Sequence, residues 1–292
     1  MLGELLKFNG PTEYAIEALE KGEFFCQHYS AYNDPFEFWS NVYDGIPDAE
    51  DEPERFMSAK MAWGCESMSP EDEDLIAYFD ECQNYQPPFA EMRDGMRITC
   101  FGSEPDNLLM WSHYADGLRG FCVVFDEELI VNDDPEAYLV DVAYLDSPPT
   151  VDSFVYAISG DQDWYTQMAI EETETRIKFS GKNGEKDWIS AYEKSGLEAR
   201  QRMHEIWQHV FAVKPSEWKY EGERRLLVQT RAEDTQPIRR RYSRSAVKEL
   251  IVGERMPPDF QKRLLAVMHK YYADTPIKTA RRAEGQYTLT FT

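Results

Sequence analysis

The longest apolar runs in this chain are only a few residues, as in "FCVVF" (121–125), whereas a helix that crosses a bilayer needs about 20. Runs of that length suit buried strands, so the chain is expected to fold in water around short strands and amphipathic helices. With 292 residues, 42% hydrophobic and 14% aromatic, it has apolar mass enough for one large domain or two small ones. The opening "MLGELLKFNG" has neither the basic region nor the long apolar region of an export signal. Five scattered cysteines, none in a CxxC pair, read as free thiols in a reducing cytoplasm.

Strand candidates are "LLKF", "EFFCQH", "MRITCF", "GFCVVFD", "AYLVDVAYL", "RRLLVQTR", "KELIVG" and the alternating "QYTLTFT". Between them, "TEYAIEALEKG" places Tyr14, Ala15, Ala18 and Leu19 on one helical face and stops at Gly22. "DNLLMWSHYADG" reads as a short helix with Asp106 as N-cap and Gly117 just past its end, and "PDFQKRLLAVMHKYY" as a late helix. "NDPFEFW" fits a helix start with Asp34 as N-cap, Pro35 at the first position and Glu37 closing a capping box. Two stretches look like helical insertions: an acidic one over about residues 45–92, and a longer one over about 150–213. In the second, Met203, Ile206, Trp207, Val210 and Phe211 form a core-facing stripe. With no repeat and no low-complexity linker, the expectation is a single α+β domain over 1–292 carrying both insertions.

The chemistry concentrates in "EWKYEGERRLLV" (217–228). In an extended chain, residues two apart share a face, so Glu221 and Glu223 would stand side by side with Gly222 leaving room between them. A salt-bridged strand end, with Arg224 and Arg225 as partners, accounts for the pattern without any chemistry. Otherwise two close carboxylates could hold a divalent metal, act as acid and base on a glycoside, or stabilise an oxocarbenium-like ribose. No GxGxxG after a strand, GxxxxGK[ST], HExxH or GxSxG is present. In "MWSHYADG", Trp111 and Tyr114 share a helical face and could wall a planar cationic ring, or simply be core aromatics; His113 lies on another side. Capping explains Asp34 but leaves Asn33 without a role. The net charge of -23 argues against a protein that coats nucleic acid. Arg239, Arg240, Arg241 and Arg244 nevertheless cluster in sequence, as a solvated face or as the seat for one phosphate backbone.

Taken in order, "YNDPFEFW", "CFGSEPDNLLMWSHYADGLRGFCVVFD", "VAYL", "KPSEWKYEGERRLLV" and "VKELIVG" resemble the bacterial family called domain of unknown function 2971, over about residues 5–270. That name carries no activity. A more distant similarity is to ADP-ribosyltransferases: "LLKFNGPTEYAIEALEKGEFF" resembles their opening strand, helix and strand, "HYADGLRGFCVVF" their middle segment, and "YEGERRLLV" the late strand with its glutamate. The resemblance implies a split, mixed or antiparallel β core and NAD as substrate. It implies Glu223 as the catalytic carboxylate, with Glu221 orienting or deprotonating the nucleophile. Tyr114, with Trp111 and His113 nearby, would meet the nicotinamide, Lys7 a phosphate or the adenine ribose, and Asn33 or Asp34 the pocket wall. Lys7 stands where those enzymes carry Arg or His, and no Ser-Thr-Ser triplet occupies a central strand. The implied protein is a mono-ADP-ribosyltransferase, a toxin-like or phage-defence effector. Its acceptor would be RNA, DNA or protein, seated by Arg239, Arg240, Arg241 and Arg244, and its partners would include an antitoxin or regulatory protein but no membrane. Two other classes fit the same residues: a metal-dependent nuclease or phosphoesterase using Asp34, Glu221 and Glu223, and a non-catalytic sensor or interaction module.

Overall fold

The computed structural model describes residues 3–131, 137–180, 185–231 and 234–292, and its architecture is mixed α+β with several sheets. The chain divides into two compact units, Met1–Phe38 with Met92–Asp146 and Lys214–Thr292, and Trp39–Glu91 with Ser147–Val213.

The first unit holds two five-stranded sheets. One runs in the order Glu4–Asn9, Phe121–Asp126, Val247–Gly253, Ile277–Arg282, Leu289–Phe291. Its Val247–Gly253 and Ile277–Arg282 pair is parallel, and the other pairs are antiparallel. The other sheet runs Ile238–Arg241, Glu23–His28, Met96–Phe101, Arg224–Gln229, Ala137–Asp141, with antiparallel pairing throughout.

Strand alternation explains why "FCVVF" is apolar at every position. Phe121, Val123 and Phe125 enter one core cluster, with Leu5, Phe24, Leu226 and Leu250. Cys122 and Val124 enter another on the opposite face, with Leu6, Phe8 and Trp111. The helices Glu13–Lys21 and Pro258–Tyr271 contribute Ile16, Leu19, Phe260 and Leu264 to the first cluster. Gly22 ends the earlier helix in the left-handed conformation, as the sequence leads one to expect.

Where the two sheets meet, a single antiparallel bridge joins Leu6 to Gly102, with Leu6 N donating to Gly102 O at 3.1 Å and Gly102 N to Leu6 O at 2.8 Å. One residue on, Lys7 spans the gap with its side chain, donating from Nζ to Thr99 Oγ1 at 2.8 Å and to the Cys100 carbonyl at 2.9 Å.

The second unit gathers both expected helical insertions. The helices Pro53–Trp63 and Glu73–Cys82 share a core with the start of Ser153–Ser180, where Ala59, Leu75, Phe79, Phe154 and Ile158 are buried together. Each insertion brings an apolar stripe that needs cover, and they cover one another. Arg55 ties the pieces by donating to Asp152 at 2.7 Å. Among the described residues no helix is long and apolar enough to cross a membrane.

Three local expectations need correction. "NDPFEFW" forms no helix: Asp34 Oδ1 accepts from Phe36 N at 2.9 Å in a local turn, and Phe38 has φ 57°. Glu37 is drawn into the interior by an arginine instead of closing a capping box. The helix after Met96–Phe101 spans Leu108–His113 and is capped by Asn107, whose Oδ1 accepts from Leu109 N and Met110 N at 3.1 Å each, so Asp106 is not the cap. "AYLVDVAYL" is broken into Ala137–Asp141 and Ala143–Leu145, because Val142 N turns to donate to the Glu223 carbonyl at 3.0 Å.

Candidate functional site

The two glutamates do not enter the sheet in extended register. Glu221 closes the 3-10 turn Ser216–Glu221, Gly222 adopts φ 50°, and the strand begins at Arg224. The left-handed turn reverses the chain, so the carboxylates converge from two sides of a bend instead of lining one strand face. A side chain at residue 222 would be strained by its φ and would overlap Ser103 Oγ. Gly222→Ala is therefore expected to cost about 1–2 kcal/mol of stability in urea unfolding; a loss of a few tenths would show that the turn relaxes freely.

What the glutamates converge on is Lys214. Its Nζ donates to Glu221 Oε2 at 2.6 Å and lies 2.6 Å from Glu223 Oε2. The remaining oxygens have their own partners: Tyr114 OH donates to Glu221 Oε1 in a short hydrogen bond, and Arg225 Nε donates to Glu223 Oε1 at 2.8 Å. Arg225, two residues along the strand from Glu223, also pairs with Glu37 Oε1 at 2.6 Å and is 0% exposed. Arg224 faces the other way and clamps Glu127 at 2.8 Å twice, with Asp141 at 2.7 Å. Tyr144 OH accepts from Glu223 N at 2.7 Å and so fixes the backbone at the bend.

Burial acts against charge throughout this cluster, and the partners decide each outcome. For Glu223, burial alone would raise the carboxyl pKa, but Arg225 and Lys214 together hold it down to about 2. For Glu221, burial prevails over Lys214 and Tyr114, and its pKa is raised. Glu37 is likewise raised, by burial first. Lys214 resists its burial because Glu223 and Glu221 favour the ammonium, and its pKa is raised. For Lys7, burial outweighs the favourable pull of Cys100, Cys26 and Glu223, and its pKa is lowered. Burial and the bond to Glu221 push the Tyr114 phenol up, so it serves as a donor.

The sign for stability follows from Glu223. A carboxyl held near 2 against an ordinary 4.5 stabilises the fold above 4.5 and loses that contribution as pH falls towards 2. Glu223→Gln should flatten the fall in stability between those two pH values, as read by urea unfolding at stepped pH. An unchanged slope would mean that Glu223 is not the group responsible.

These residues open on a cavity of ≈ 340 Å³ lined by Lys7, Asn33, Tyr114, Lys214, Glu221 and Glu223. Phe8, Phe25, Tyr32 and Phe101 provide aromatic wall. A second lobe of ≈ 520 Å³, reaching Tyr14 and Arg239, shares Lys7, Phe8, Phe25, Gln27 and Tyr114 with the first. Of the residues singled out from sequence, the fold therefore brings Lys7, Asn33, Tyr114, Glu221 and Glu223 together.

The others stand elsewhere. Trp111 is 1% exposed, edge-on to Phe8, with its indole N–H donating to the Pro105 carbonyl at 2.7 Å. It is a core aromatic and no ring platform, because its helix turns that face inward. His113 is exposed, its ring 6.0 Å from that of Tyr220, and it does not line the cavity. Asp34 is buried in its turn, and Asn33 takes the place at the wall.

The arginines lie on and after the edge strand Ile238–Arg241. Arg239 and Arg241 flank Glu23 at 3.7 and 3.5 Å, Arg240 donates to the Ile130 carbonyl at 3.0 Å, and Arg244 donates to the Glu20 carbonyl at 2.6 Å while packing over Tyr271. They are interleaved with acids and carbonyls, and only Arg239 reaches the second lobe.

Sequence reasoning missed Lys214 and the ion pair of Glu37 with Arg225, while Arg225 was expected as a salt-bridge partner of the glutamates and is one for Glu223. All three sit inside or beside motifs already singled out, but a lysine seven residues before a glutamate shows no spacing signal until the turn at 216–221 is known. Among the described residues, no group of three or more His, Cys, Asp or Glu is arranged to hold a metal ion. Between the two glutamates the bridging position belongs to the Lys214 ammonium.

Residues 110–226, from the Tyr114 helix to the strand after Glu223, match the model of a family described as protein of unknown function (DUF2971). The match covers the segment that supplies Tyr114, Lys214, Glu221 and Glu223. Neither curated proteins nor solved structures give a match to the chain.

Proposed function

We propose that this chain is a NAD-dependent ADP-ribosyltransferase, with catalysis at the Glu221–Glu223 bend. The observation that carries the reading is the meeting of Lys7, Tyr114, Glu221 and Glu223 in one aromatic-walled cavity at a split between two sheets. These residues come from three separate stretches of sequence, and the resemblance to ADP-ribosyltransferases had named each of them.

On this reading each has a task. Glu223 is kept ionised and is oriented by Arg225, so it can accept a hydrogen bond from the nicotinamide ribose and stabilise positive charge as the C1′–N bond breaks. The bonding electrons pass to the pyridinium nitrogen, and nicotinamide leaves neutral. Glu221, its pKa raised by burial, suits a general base that takes the proton of the attacking nucleophile. Tyr114 is held through its hydroxyl, so its ring is fixed at the place where both lobes meet. Lys7 lies at the same junction, where a cation would meet the diphosphate of a dinucleotide lying across both. The arginines around Glu23, with the net charge of -23, favour a protein acceptor over a nucleic acid.

Incubation with NAD labelled separately in the nicotinamide and adenylate halves, in the presence of a chelator and cell extract, tests the reading. Nicotinamide release with transfer of the adenylate label to macromolecules is expected. Absence of both would overturn it, and release that needs added magnesium or manganese would point to the metal-dependent class. A non-catalytic ion cluster that braces the fold is favoured by one observation, that every oxygen of Glu221 and Glu223 already has a protein partner. It predicts no release at all.

A further inference from the structure

We infer that Lys214 is the positioning residue of this site: it holds Glu221 and Glu223 together as an ionised, correctly aimed pair. The activity arm of this inference rests on the proposed transferase reading, and its titration arm does not.

Two carboxylate oxygens each 2.6 Å from one nitrogen are no farther apart than twice that distance. Without a cation between them, like charges so close in a buried site do not both stay ionised. Lys214 is itself buried, packs its ammonium 5.3 Å from the Trp218 ring centre, and belongs to the short strand Val213–Pro215. That strand pairs with Ala143–Leu145, which carries Tyr144. Tyr144 in turn holds the backbone of Glu223. The lysine and one of its two glutamates are thus fixed by the same pair of strands.

The groups facing the cluster are Glu37 from the turn after Asp34, Tyr32 just before it, Lys7 and Cys100 from the two strands at the sheet junction, Tyr114 and Tyr144, Tyr220 from the 3-10 turn, and Arg225. Cys100 and the tyrosines are pushed upward by burial and stay neutral at physiological pH. The charge balance is therefore set by Lys7, Lys214 and Arg225 against Glu37, Glu221 and Glu223. Removing Lys214 leaves one buried negative charge in excess, and the response open to the site is to take up a proton. Glu221 is the acceptor, because it lacks the direct arginine bond that Glu223 has. A protonated Glu221 cannot act as base, although its carbonyl oxygen can still accept from Tyr114.

The test compares wild type, Lys214→Met and Lys214→Arg, uniformly labelled with carboxyl-13C glutamate. Resonances are assigned from Glu221→Gln and Glu223→Gln. In Lys214→Met, the Glu221 carboxyl is expected to titrate at least one pH unit higher than in wild type, and Lys214→Arg to restore most of the difference. In parallel, the acid limb of kcat/KM for nicotinamide release should move up by the same interval, with the loss recovered at high pH; a merely structural lysine would lower the rate equally at every pH. If wild type releases no nicotinamide, the transferase reading fails and the carboxyl titration alone decides the role of Lys214. Unchanged titration in Lys214→Met overturns the inference. Should Lys214→Met not fold, the charge-balanced double variant Lys214→Met with Glu221→Gln should fold, with Glu223 titrating above its wild-type position because Lys214 no longer lowers it; a double variant no better folded than the single one also overturns it.

Discussion

Glu223→Gln should lower nicotinamide release from NAD by about 10²- to 10⁴-fold, the range a positioned acid–base or charge-stabilising carboxylate contributes. The substitution keeps shape and removes charge. Glutamine can still accept the Arg225 Nε–H from its carbonyl oxygen, but its amide then faces the Lys214 ammonium, donor against donor. Some stability is therefore lost as well, so the rate is to be compared among folded variants of matched near-UV signal. Glu223→Asp supplies the contrast: it keeps the charge near Lys214 and Arg225 but withdraws the oxygens from the cavity. A catalytic Glu223 requires both variants to be slow while only Glu223→Gln loses the acid-dependent stability between pH 4.5 and about 2. Equal rates in wild type and Glu223→Gln would remove Glu223 from the reaction and leave it as a brace.

The elements whose sequences carry their own boundaries were legible. Glu23–His28 and Met96–Phe101 match the strands expected from their apolar runs residue for residue, and the helix Glu13–Lys21 ends at Gly22 because the left-handed residue is written there. Where several local signals agree, tertiary packing has little to override. The bend at Gly222 is the contrary case. Period-two reasoning put Glu221 and Glu223 on one strand face, but they meet because the chain turns and a lysine from another strand stands between them. Glu37 shows the same limit. Its capping-box spacing was a true local pattern, but a buried arginine 188 positions later offered a stronger partner than a backbone amide. Local spacing reports on nearest neighbours along the chain, and ion partners distant in sequence leave no such trace. Trp111, on the helix, and Tyr114, its C-cap, share one motif, yet one is core and the other reaches the cavity. Residue type and helical spacing are alike for both, so the difference arises only when Phe8 packs edge-on to Trp111.

Arg225→Met should cost about 3–5 kcal/mol of stability at pH 7, the penalty for breaking a buried ion pair from one side. Arg225 is 0% exposed, and it bridges Glu223 at 2.8 Å to Glu37 at 2.6 Å. Methionine fills much of the arginine stem and needs no hydrogen bonds, so the loss reports mainly the two carboxylates left behind in a buried site. The pH dependence separates this cause from a packing defect. With the guanidinium gone, burial is opposed for Glu223 only by Lys214 and the Cys100 thiol, and its folded pKa rises; Glu37, already raised, rises further. A carboxyl whose folded pKa lies above its ordinary value destabilises the fold at neutral pH and ceases to do so once it protonates. Wild type moves the other way, because Glu223 at about 2 keeps its stabilising contribution until the solution is far more acid. The gap between wild type and Arg225→Met should therefore be widest at pH 7 and narrow steadily towards pH 4, read as urea midpoints at matched m-values. A gap of the same size at both pH values would assign the loss to packing, and a gap under about 1 kcal/mol at pH 7, the scale of a surface pair, would mean that water reaches Glu37 and Glu223 and that the cluster is not the sealed anchor on which the orientation of Glu223 depends.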